Sequence, residues 1–267
     1  MMEEADILDA AKRLFEAEKH NSQIDILSLS NPGMDMDDAY AIQSKLVKHK
    51  QDSGRSVIGW KIGLTSKAMQ NALNIDIPDS GVLFDDMHFQ NASHVPKGRF
   101  ILPRIEAEIA FIMGQDIAGS AVTKEDILLA TDYVSPSLEI LDTRIKRVDA
   151  ATGKTRLVFD TIADNAANAG VVLGPQKHDI ADFDLRWVGA IVTRNDEVEE
   201  TGLGAGVLND PVQSMLWLVQ RLAQYGQGLR KGDIVLSGSF IRPIECPPNS
   251  RINADFGRFG DVTVSFG

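Results

Sequence analysis

The chain has 267 residues, of which 43% are hydrophobic and 24% charged, the ordinary proportions of a globular protein with one large domain. A net charge of −11 argues against nucleic acid and acidic membrane surfaces as partners. The single cysteine, Cys246, excludes an internal disulfide and a cysteine metal cage, and no apolar run is long enough to span a membrane. Because the N-terminus also has no apolar signal core, we expect a cytoplasmic protein.

Two amphipathic helices are predicted at the N-terminus. Apolar residues form one stripe along residues 5–19. Asp35 is placed to cap a second helix, which Gly54 terminates. We expect these helices to form a small N-terminal lobe, residues 1–53, ahead of a catalytic domain, residues 54–267.

The following segment, residues 56–63, is predicted to be a strand that carries a candidate catalytic lysine. Lys61 shares one face of this strand with Gly59 and Gly63. These glycines leave room for a ligand beside the lysine, although a surface lysine in a glycine-weakened strand fits the same pattern.

A second candidate acid–base residue, Asp79, lies in a predicted turn. Thr65 or Ser66 can cap a short helix through Leu73, and the turn at residues 78–81 follows it. The simplest role for Asp79 is a hydrogen bond to its own backbone, and a catalytic role is the alternative.

Three glutamates are candidate metal ligands. Residues 103–113 alternate as a strand with one apolar face, so that Glu106 and Glu108 point to the other side with Cα atoms about 6.5–7 Å apart. Like charges at this spacing indicate either a hard-metal site or a solvated strand face. Glu139 lies among apolar neighbours in a second predicted strand, residues 135–142, where a carboxylate is costly without a partner or a metal. Because the five histidines show no zinc-binding spacing, oxygen ligands for Mg²⁺ or Mn²⁺ are favoured.

Residues 143–159 form a predicted long, mobile loop with a concentration of positive charge in an acidic protein. Asp149 is the only acid among them. The cations are Arg144, Lys146, Arg147, Lys154 and Arg156. Such a loop suits a lid that attracts a negatively charged substrate, and a solvated loop or a subunit contact is the alternative.

The C-terminal part is predicted to be β-rich with one long helix. Small residues at 161–170 favour tight packing near the site, and residues 185–194 alternate as a strand. Asp210 caps a helix that has proline at its first position. The strand at residues 234–239 ends in Ser-Gly-Ser, whose hydroxyls and open backbone suit a carboxylate.

Several of these motifs together resemble a known family. They are GWKIGLTSKAMQ at 59–70, PRIEAE at 103–108, Glu139 and FDTIADNAANAG at 159–170. In this order they resemble the 2-oxo acid hydratases of aromatic meta-cleavage pathways, a group that includes 2-oxopent-4-enoate hydratase and oxalocrotonate decarboxylase within the fumarylacetoacetate hydrolase superfamily. The resemblance extends from Asp37 to the C-terminus.

This resemblance implies an α+β fold with a mixed β-sheet roll, flanking helices, a bound divalent metal and a pentameric or decameric homo-oligomer. It assigns metal binding to Glu106, Glu108 and Glu139, and acid–base chemistry to Lys61 with Asp79 nearby. Candidate substrate-binding residues are Thr65, Arg144, Arg156, Thr161 and Ser239, with Arg147 a further candidate for a distal carboxylate.

The implied reaction is hydration of a dicarboxylic 2-oxo acid in homoprotocatechuate degradation, because the basic loop and the VFDTIADNAANAG string are most similar to hydratases of a seven-carbon substrate. Water would add to 2-oxohept-3-ene-1,7-dioate to give 4-hydroxy-2-oxoheptane-1,7-dioate. Beside a metal and away from solvent, the pKa of Lys61 should fall towards neutrality, as a general base requires. The alternatives are a 2-oxo-3-hexenedioate decarboxylase, a 2-oxopent-4-enoate hydratase, a C–C bond hydrolase and a non-catalytic pathway partner.

Overall fold

The computed structural model describes residues 2–67, 70, 71, 75 and 77–267, and most of its strands belong to two sheets. The α-helices are α1 (Glu4–Lys19), α2 (Leu27–Ser30), α3 (Met36–Asp52), α4 (Lys124–Ala130), α5 (Val158–Ala163) and α6 (Pro211–Ala223). The strands are β1 (Val57–Gly63), β2 (Asp79–Phe84), β3 (His88–Phe89), β4 (His94–Val95), β5 (Arg104–Met113), β6 (Ile117–Ala118), β7 (Thr131–Leu141), β8 (Asn168–Leu173), β9 (Gly189–Arg194), β10 (Glu197–Leu203), β11 (Gly228–Leu229), β12 (Ile234–Leu236), β13 (Ile244–Glu245), β14 (Arg251–Asp255) and β15 (Asp261–Phe266).

A mixed sheet built around the long antiparallel pair β5 and β7 forms the centre of the fold. Its order is β2-β1-β12-β5-β7-β8-β3, and β13 also pairs with β5. Both β12 and β13 use the same edge of β5, β12 near its C-terminal end and β13 near its N-terminal end. Residues 237–243 connect β12 to β13 and run beside the middle of β5, so irregular backbone lies next to the two strand glutamates.

The main core lies between this sheet and a second sheet of order β10-β9-β14-β15-β4. The alternation of β5 dictates its contribution, because Ile105, Ala107, Ile109 and Phe111 all face this core and are fully buried. Helix α6 covers the same core with an apolar face that includes Val212, Met215, Val219 and Leu222. The opposite face of β5 is therefore the one that carries Glu106 and Glu108.

The N-terminal helices α1 and α3 pack against each other and against the segment after β7. Asp35 caps α3 in a capping box with Asp38, as the sequence indicates. The apolar cluster of α1 and α3 also contains Ile145 and Ile162, which lie outside residues 1–53. The division into a 1–53 lobe and a 54–267 catalytic domain stays a prediction.

The predicted α+β architecture with flanking helices is confirmed, and three boundaries are corrected. Strand β2 begins at Asp79 inside the predicted turn, because its backbone pairs with β1 as far as Gly63. Strand β12 ends at Leu236, because Gly238 has a φ of +115° that leaves the strand conformation. Residues 185–187 form a 3₁₀ turn rather than the start of β9. The predicted helix through Leu73 lies partly outside the described residues.

No helix in the described part of the chain combines the length and the hydropathy needed to cross a lipid bilayer.

Candidate active site

Three predicted metal ligands meet on one face of the central sheet. The antiparallel register of β5 and β7 places Glu106 directly opposite Glu139, and Glu108 follows two residues along the same face. One carboxylate oxygen from each glutamate lies within 4.8 Å of the other two. Strand pairing therefore brings together three acids that are up to 33 positions apart in the chain.

The environment of these carboxylates disfavours their charge. Glu108 and Glu139 are completely buried. Among the described residues, Glu108 Oε1 and both oxygens of Glu139 are buried without a hydrogen-bond partner. Burial, together with repulsion from Glu139, raises the pKa of both Glu106 and Glu108, and burial also raises that of Glu139.

A divalent cation fits this arrangement. Buried oxygens without hydrogen-bond donors are rare in folded proteins. A cation that is coordinated by several carboxylate oxygens satisfies them and offsets the repulsion between the glutamates. The donor set is all oxygen, which suits Mg²⁺ or Mn²⁺ better than zinc. Glu106, Glu108 and Glu139 are thus the residues that would hold the ion.

Lys61 reaches this cluster from β1. Its Nζ lies 3.6 Å from Glu139 Oε1, and the side chain is only 5% exposed. Burial alone would lower the pKa of Lys61, but attraction by Glu139, Asp79, Glu106 and Glu108 outweighs burial and raises it. The lowered pKa of Lys61 that the sequence led us to expect therefore requires a bound cation that offsets the negative charge of these four carboxylates.

Asp79 lies beside Lys61 because Gly63 makes room for it. Asp79 on β2 is directly opposite Gly63 on β1. A Cβ atom on Gly63 would collide with Asp79 Oδ1 and come within 2.9 Å of Lys61 Nζ. Burial raises the pKa of Asp79, although Lys61 and the Gly63 amide partly oppose this effect.

Gly59, the other glycine on this face, has a different role from the one the sequence suggested. A Cβ atom there would clash with the backbone of Ile234. Gly59 thus permits close approach of β12 and leaves no space for a ligand.

The Ser-Gly-Ser segment after β12 binds a carboxylate of the protein itself. The Gly238 amide donates a hydrogen bond of 2.7 Å to Glu108 Oε2. Thr65 packs so closely on Gly238 that a Cβ atom there would be 2.5 Å from its Oγ1. The side chain of Ser239 donates to the carbonyl of Ile241. Through the Gly238 amide, this segment orients Glu108, a candidate metal ligand.

A cavity of about 550 Å³ opens next to this cluster. Most of the candidate site residues line it. They are Lys61, Asp79, Glu106, Thr65, Arg156, Thr161 and Ser239. Glu108 and Glu139 lie behind them, fully buried.

Arg144 is a predicted substrate-binding residue that the structure places elsewhere. Its side chain is 2% exposed and forms an ion pair of 2.5 Å with Asp164. Its other guanidinium nitrogens donate to the carbonyls of Asp164 and Asn168. Arg144 does not belong to the described residues that line the cavity. Together with the fully buried Ile145, it anchors the start of the predicted mobile loop.

Several arginines line the cavity, and we call three of them, Arg104, Arg147 and Arg156, the arginine cluster. Burial, with repulsion from Arg104 and Arg156, lowers the pKa of Arg147 to about 10. Arg104 was not among the predicted substrate-binding residues. Its position two residues before Glu106, on the same strand face, was the available signal.

A family model described as the C-terminal domain of fumarylacetoacetate (FAA) hydrolase matches residues 59–265. The chain therefore belongs to the FAA hydrolase family, as the sequence motifs predicted, and it is an enzyme. All five candidate acid–base and metal residues lie within the matched range.

Relatives with assigned names are similar along almost the whole chain. A 2-oxo-hept-4-ene-1,7-dioate hydratase from Escherichia coli is 46% identical over 96% of this chain and 96% of its own length. A 2-keto-4-pentenoate hydratase from Paraburkholderia xenovorans is 37% identical over 97% of this chain and 94% of its own length. Among solved structures, the 4-oxalocrotonate decarboxylase from Pseudomonas putida G7, complexed with magnesium and adipate, is 27% identical with a TM-score of 0.93, covering 100% of this chain and 99% of that one.

Proposed function

We propose that this enzyme is a divalent-metal-dependent hydratase that converts 2-oxohept-3-ene-1,7-dioate to 4-hydroxy-2-oxoheptane-1,7-dioate. One observation carries the proposal. Three carboxylates, two of which have buried oxygens without a hydrogen-bond partner, converge beside Lys61, next to a cavity that is also lined by arginines. A 2-oxo acid with a second carboxylate has complementary groups at both ends. The 46% identity to the E. coli dioate hydratase supports the same substrate class.

Glu106, Glu108 and Glu139 would hold Mg²⁺, or Mn²⁺ in its place. When bound, such an ion acts as a Lewis acid on the 2-oxo carboxylate. Magnesium in the related decarboxylase supports this choice of ion. The Gly238 amide holds Glu108 in position through its hydrogen bond to Oε2.

Lys61 is the residue we propose to move protons. In a substrate with a 4,5 double bond, a proton leaves C3 and a proton is added at C5, which brings the double bond into conjugation with the 2-oxo group. Water then adds with its hydroxyl on C4 and its proton on C3. Asp79, buried next to Lys61 Nζ, orients the amine or the attacking water.

Polar groups around the cavity would position the substrate. Thr65, Thr161 and Ser239 line it, and so does Arg156 of the arginine cluster. Arg147 and Arg156 are the loop cations that would attract an anionic substrate to the cavity, since Arg144 is buried elsewhere.

We further propose a cytoplasmic homo-oligomer, a pentamer or decamer, that acts in homoprotocatechuate degradation. The identity to a dioate hydratase and the net charge of −11 support this setting. Analytical ultracentrifugation of the purified protein measures the oligomer size directly. A monomer at micromolar concentration would contradict the assembly.

The experiment that tests the function is a Mg²⁺-dependent assay of purified protein with 2-oxo-enoates of five, six and seven carbons, with and without a terminal carboxylate. A hydroxy acid from the seven-carbon dicarboxylate is the expected product. The full-length similarity to a decarboxylase makes CO₂ release from the six-carbon dicarboxylate the outcome that would replace our proposal. Absence of turnover with all substrates would favour a non-catalytic partner.

A further inference from the structure

Arg104 and two of the candidate metal ligands, Glu106 and Glu108, are on the same face of strand β5. Arg104 precedes Glu106 by two positions on β5, so their Cα atoms are about 6.5–7 Å apart. Both side chains line the cavity. A central strand holds these two groups at a constant separation, whereas Arg147 and Arg156 lie on the loop before α5.

The guanidinium of Arg104 has unused hydrogen-bonding capacity. Its Nε is buried and has no hydrogen-bond partner among the described residues. Its Nη2 donates to Glu245 Oε1 at 2.7 Å. Glu245 is opposite Arg104 in the pairing of β13 with β5, and its side chain is 68% exposed.

Among the described residues, Glu245 is the only carboxylate within ion-pair distance of the arginine cluster. Glu245 pairs with Arg104, and it lies 4.0 Å from Arg147. Arg156 donates to the neutral hydroxyl of Thr143. Asp142 also lines the cavity, but its oxygens already accept the backbone amides of Ile101, Leu102 and Thr143. The cluster therefore attracts an additional anion.

We propose that Arg104 selects substrates with a second carboxylate, and that Glu245 occupies this arginine until the substrate carboxylate displaces it. The inference rests on the proposed function, which places the 2-oxo acid end of the substrate at the glutamates. An exposed ion pair contributes little stability, so displacing Glu245 costs little. Once Glu245 has moved away, a carboxylate inside the cavity can accept hydrogen bonds from the guanidinium group in the two-pronged geometry that arginine favours.

The test compares the seven-carbon 2-oxo-enedioate with five-carbon 2-oxopent-4-enoate in wild type, Arg104→Met and Glu245→Gln. In Arg104→Met, kcat/KM for the dicarboxylate should fall by about 10- to 100-fold through KM, while that for the monocarboxylate changes by less than about twofold. In Glu245→Gln, KM for the dicarboxylate should decrease and that for the monocarboxylate should not change. The double variant should behave like Arg104→Met.

Arg242→Met is the matched control. Arg242 also lines the cavity, but it is 83% exposed and already paired with Glu200 at 2.5 Å. Its removal should leave the ratio of the two kcat/KM values unchanged. If Arg104→Met leaves the ratio of the two kcat/KM values unchanged, whether or not both values fall, the proposal is overturned.

A binding measurement separates this inference from the proposed reaction. Calorimetry with adipate in the presence of Mg²⁺ should give about 10- to 100-fold weaker binding to Arg104→Met than to wild type. If wild type hydrates neither substrate but adipate binding depends on Arg104, the proposed function fails and the carboxylate site stands. Equal adipate affinity in both proteins would refute the site, and unchanged Mn²⁺ affinity verifies that the variant is folded.

Discussion

Glu106 and Glu139 are directly opposite each other on β5 and β7, the central pair of strands of the main sheet. Two like charges in this cross-strand position destabilise a sheet. The protein nevertheless has a third carboxylate, Glu108, within 4.8 Å of both. The arrangement is unfavourable for folding and favourable for holding a cation, so stability and metal binding should respond in opposite directions to neutralisation.

We therefore expect Glu106→Gln to stabilise the metal-free protein by on the order of 1 kcal/mol at neutral pH, because glutamine is already neutral, whereas Glu106, with its raised pKa, must take up a proton to be buried beside the other glutamates. With Mg²⁺ in excess, the order should reverse, since only wild type gains the free energy of ion binding. Chemical denaturation with EDTA and with Mg²⁺ measures both effects. A variant that is less stable than wild type under both conditions would show that repulsion between the glutamates does not limit the stability of the metal-free protein.

Metal affinity should increase with pH. Burial and Glu139 raise the pKa of Glu106 from 4.5 to about 8. Because the folded protein favours the protonated carboxyl, this group contributes stability below its unfolded pKa and loses it as pH rises towards 8. A cation requires the deprotonated form, so binding should release protons and tighten from about pH 6 to about pH 8.

Calorimetric Mn²⁺ titrations in two buffers of different ionisation enthalpy measure this proton release. An affinity that does not depend on pH, with no difference between buffers, would mean that the glutamates are already ionised in the metal-free protein.

Lys61→Ala should abolish turnover while sparing metal binding. The ammonium lies against Glu139 without being a metal ligand, so its loss removes the proton-transfer group and one positive charge from the cluster. We expect kcat to fall by about 10²- to 10⁴-fold. Mn²⁺ affinity should be equal to or tighter than that of wild type. Wild-type turnover in this variant would remove lysine from the mechanism.

Gly63→Ala tests whether the placement of Lys61 and Asp79 next to each other matters for catalysis. The new methyl group would displace both side chains, and such displacements cost on the order of 100-fold in kcat. Gly33→Ala is the control, because a Cβ atom added there has no neighbour within 4 Å and the φ of Gly33 is not positive. Equal activities of the two variants would show that the placement of Asp79 is not needed for catalysis.

Asp164→Asn should be strongly destabilising if Arg144 has a structural role. The pair is buried, and removing one partner from such a pair costs about 3–5 kcal/mol. Asp25→Asn is the matched control, because Asp25 pairs with Lys146 on the surface at 2.7 Å and should contribute less than about 1 kcal/mol. Urea denaturation of both variants decides the question. Similar, small effects would reopen a substrate-binding role for Arg144.

Local sequence patterns were enough to predict most of the helices and strands. The alternation of β5 predicted that its apolar face lies in the core and that Glu106 and Glu108 share the other face, because side chains alternate with a period of two along any strand. The capping residues Asp35 and Asp210 predicted two helix starts correctly. These features depend on neighbours within a few positions.

The interpretation of isolated charges and glycines was less reliable. Arg104 and Arg144 look alike as residues of a charged segment, but one lines the cavity and the other is buried against Asp164. Gly59 and Gly63 flank the same lysine, but Gly59 allows close approach of strand β12, whereas Gly63 leaves space for the carboxylate of Asp79. In both cases the neighbours that decide the role come from distant parts of the chain.

The sequence by itself determined the strand and helix pattern, the oxygen-rich candidate metal ligands and the family. Only the tertiary structure decided that Glu139 is opposite Glu106, that Asp79 lies near Lys61, and that Arg104 rather than Arg144 faces the cavity. The physical reason is that strand order and register are set by the burial of a whole apolar face, a sum over many residues that no short motif contains.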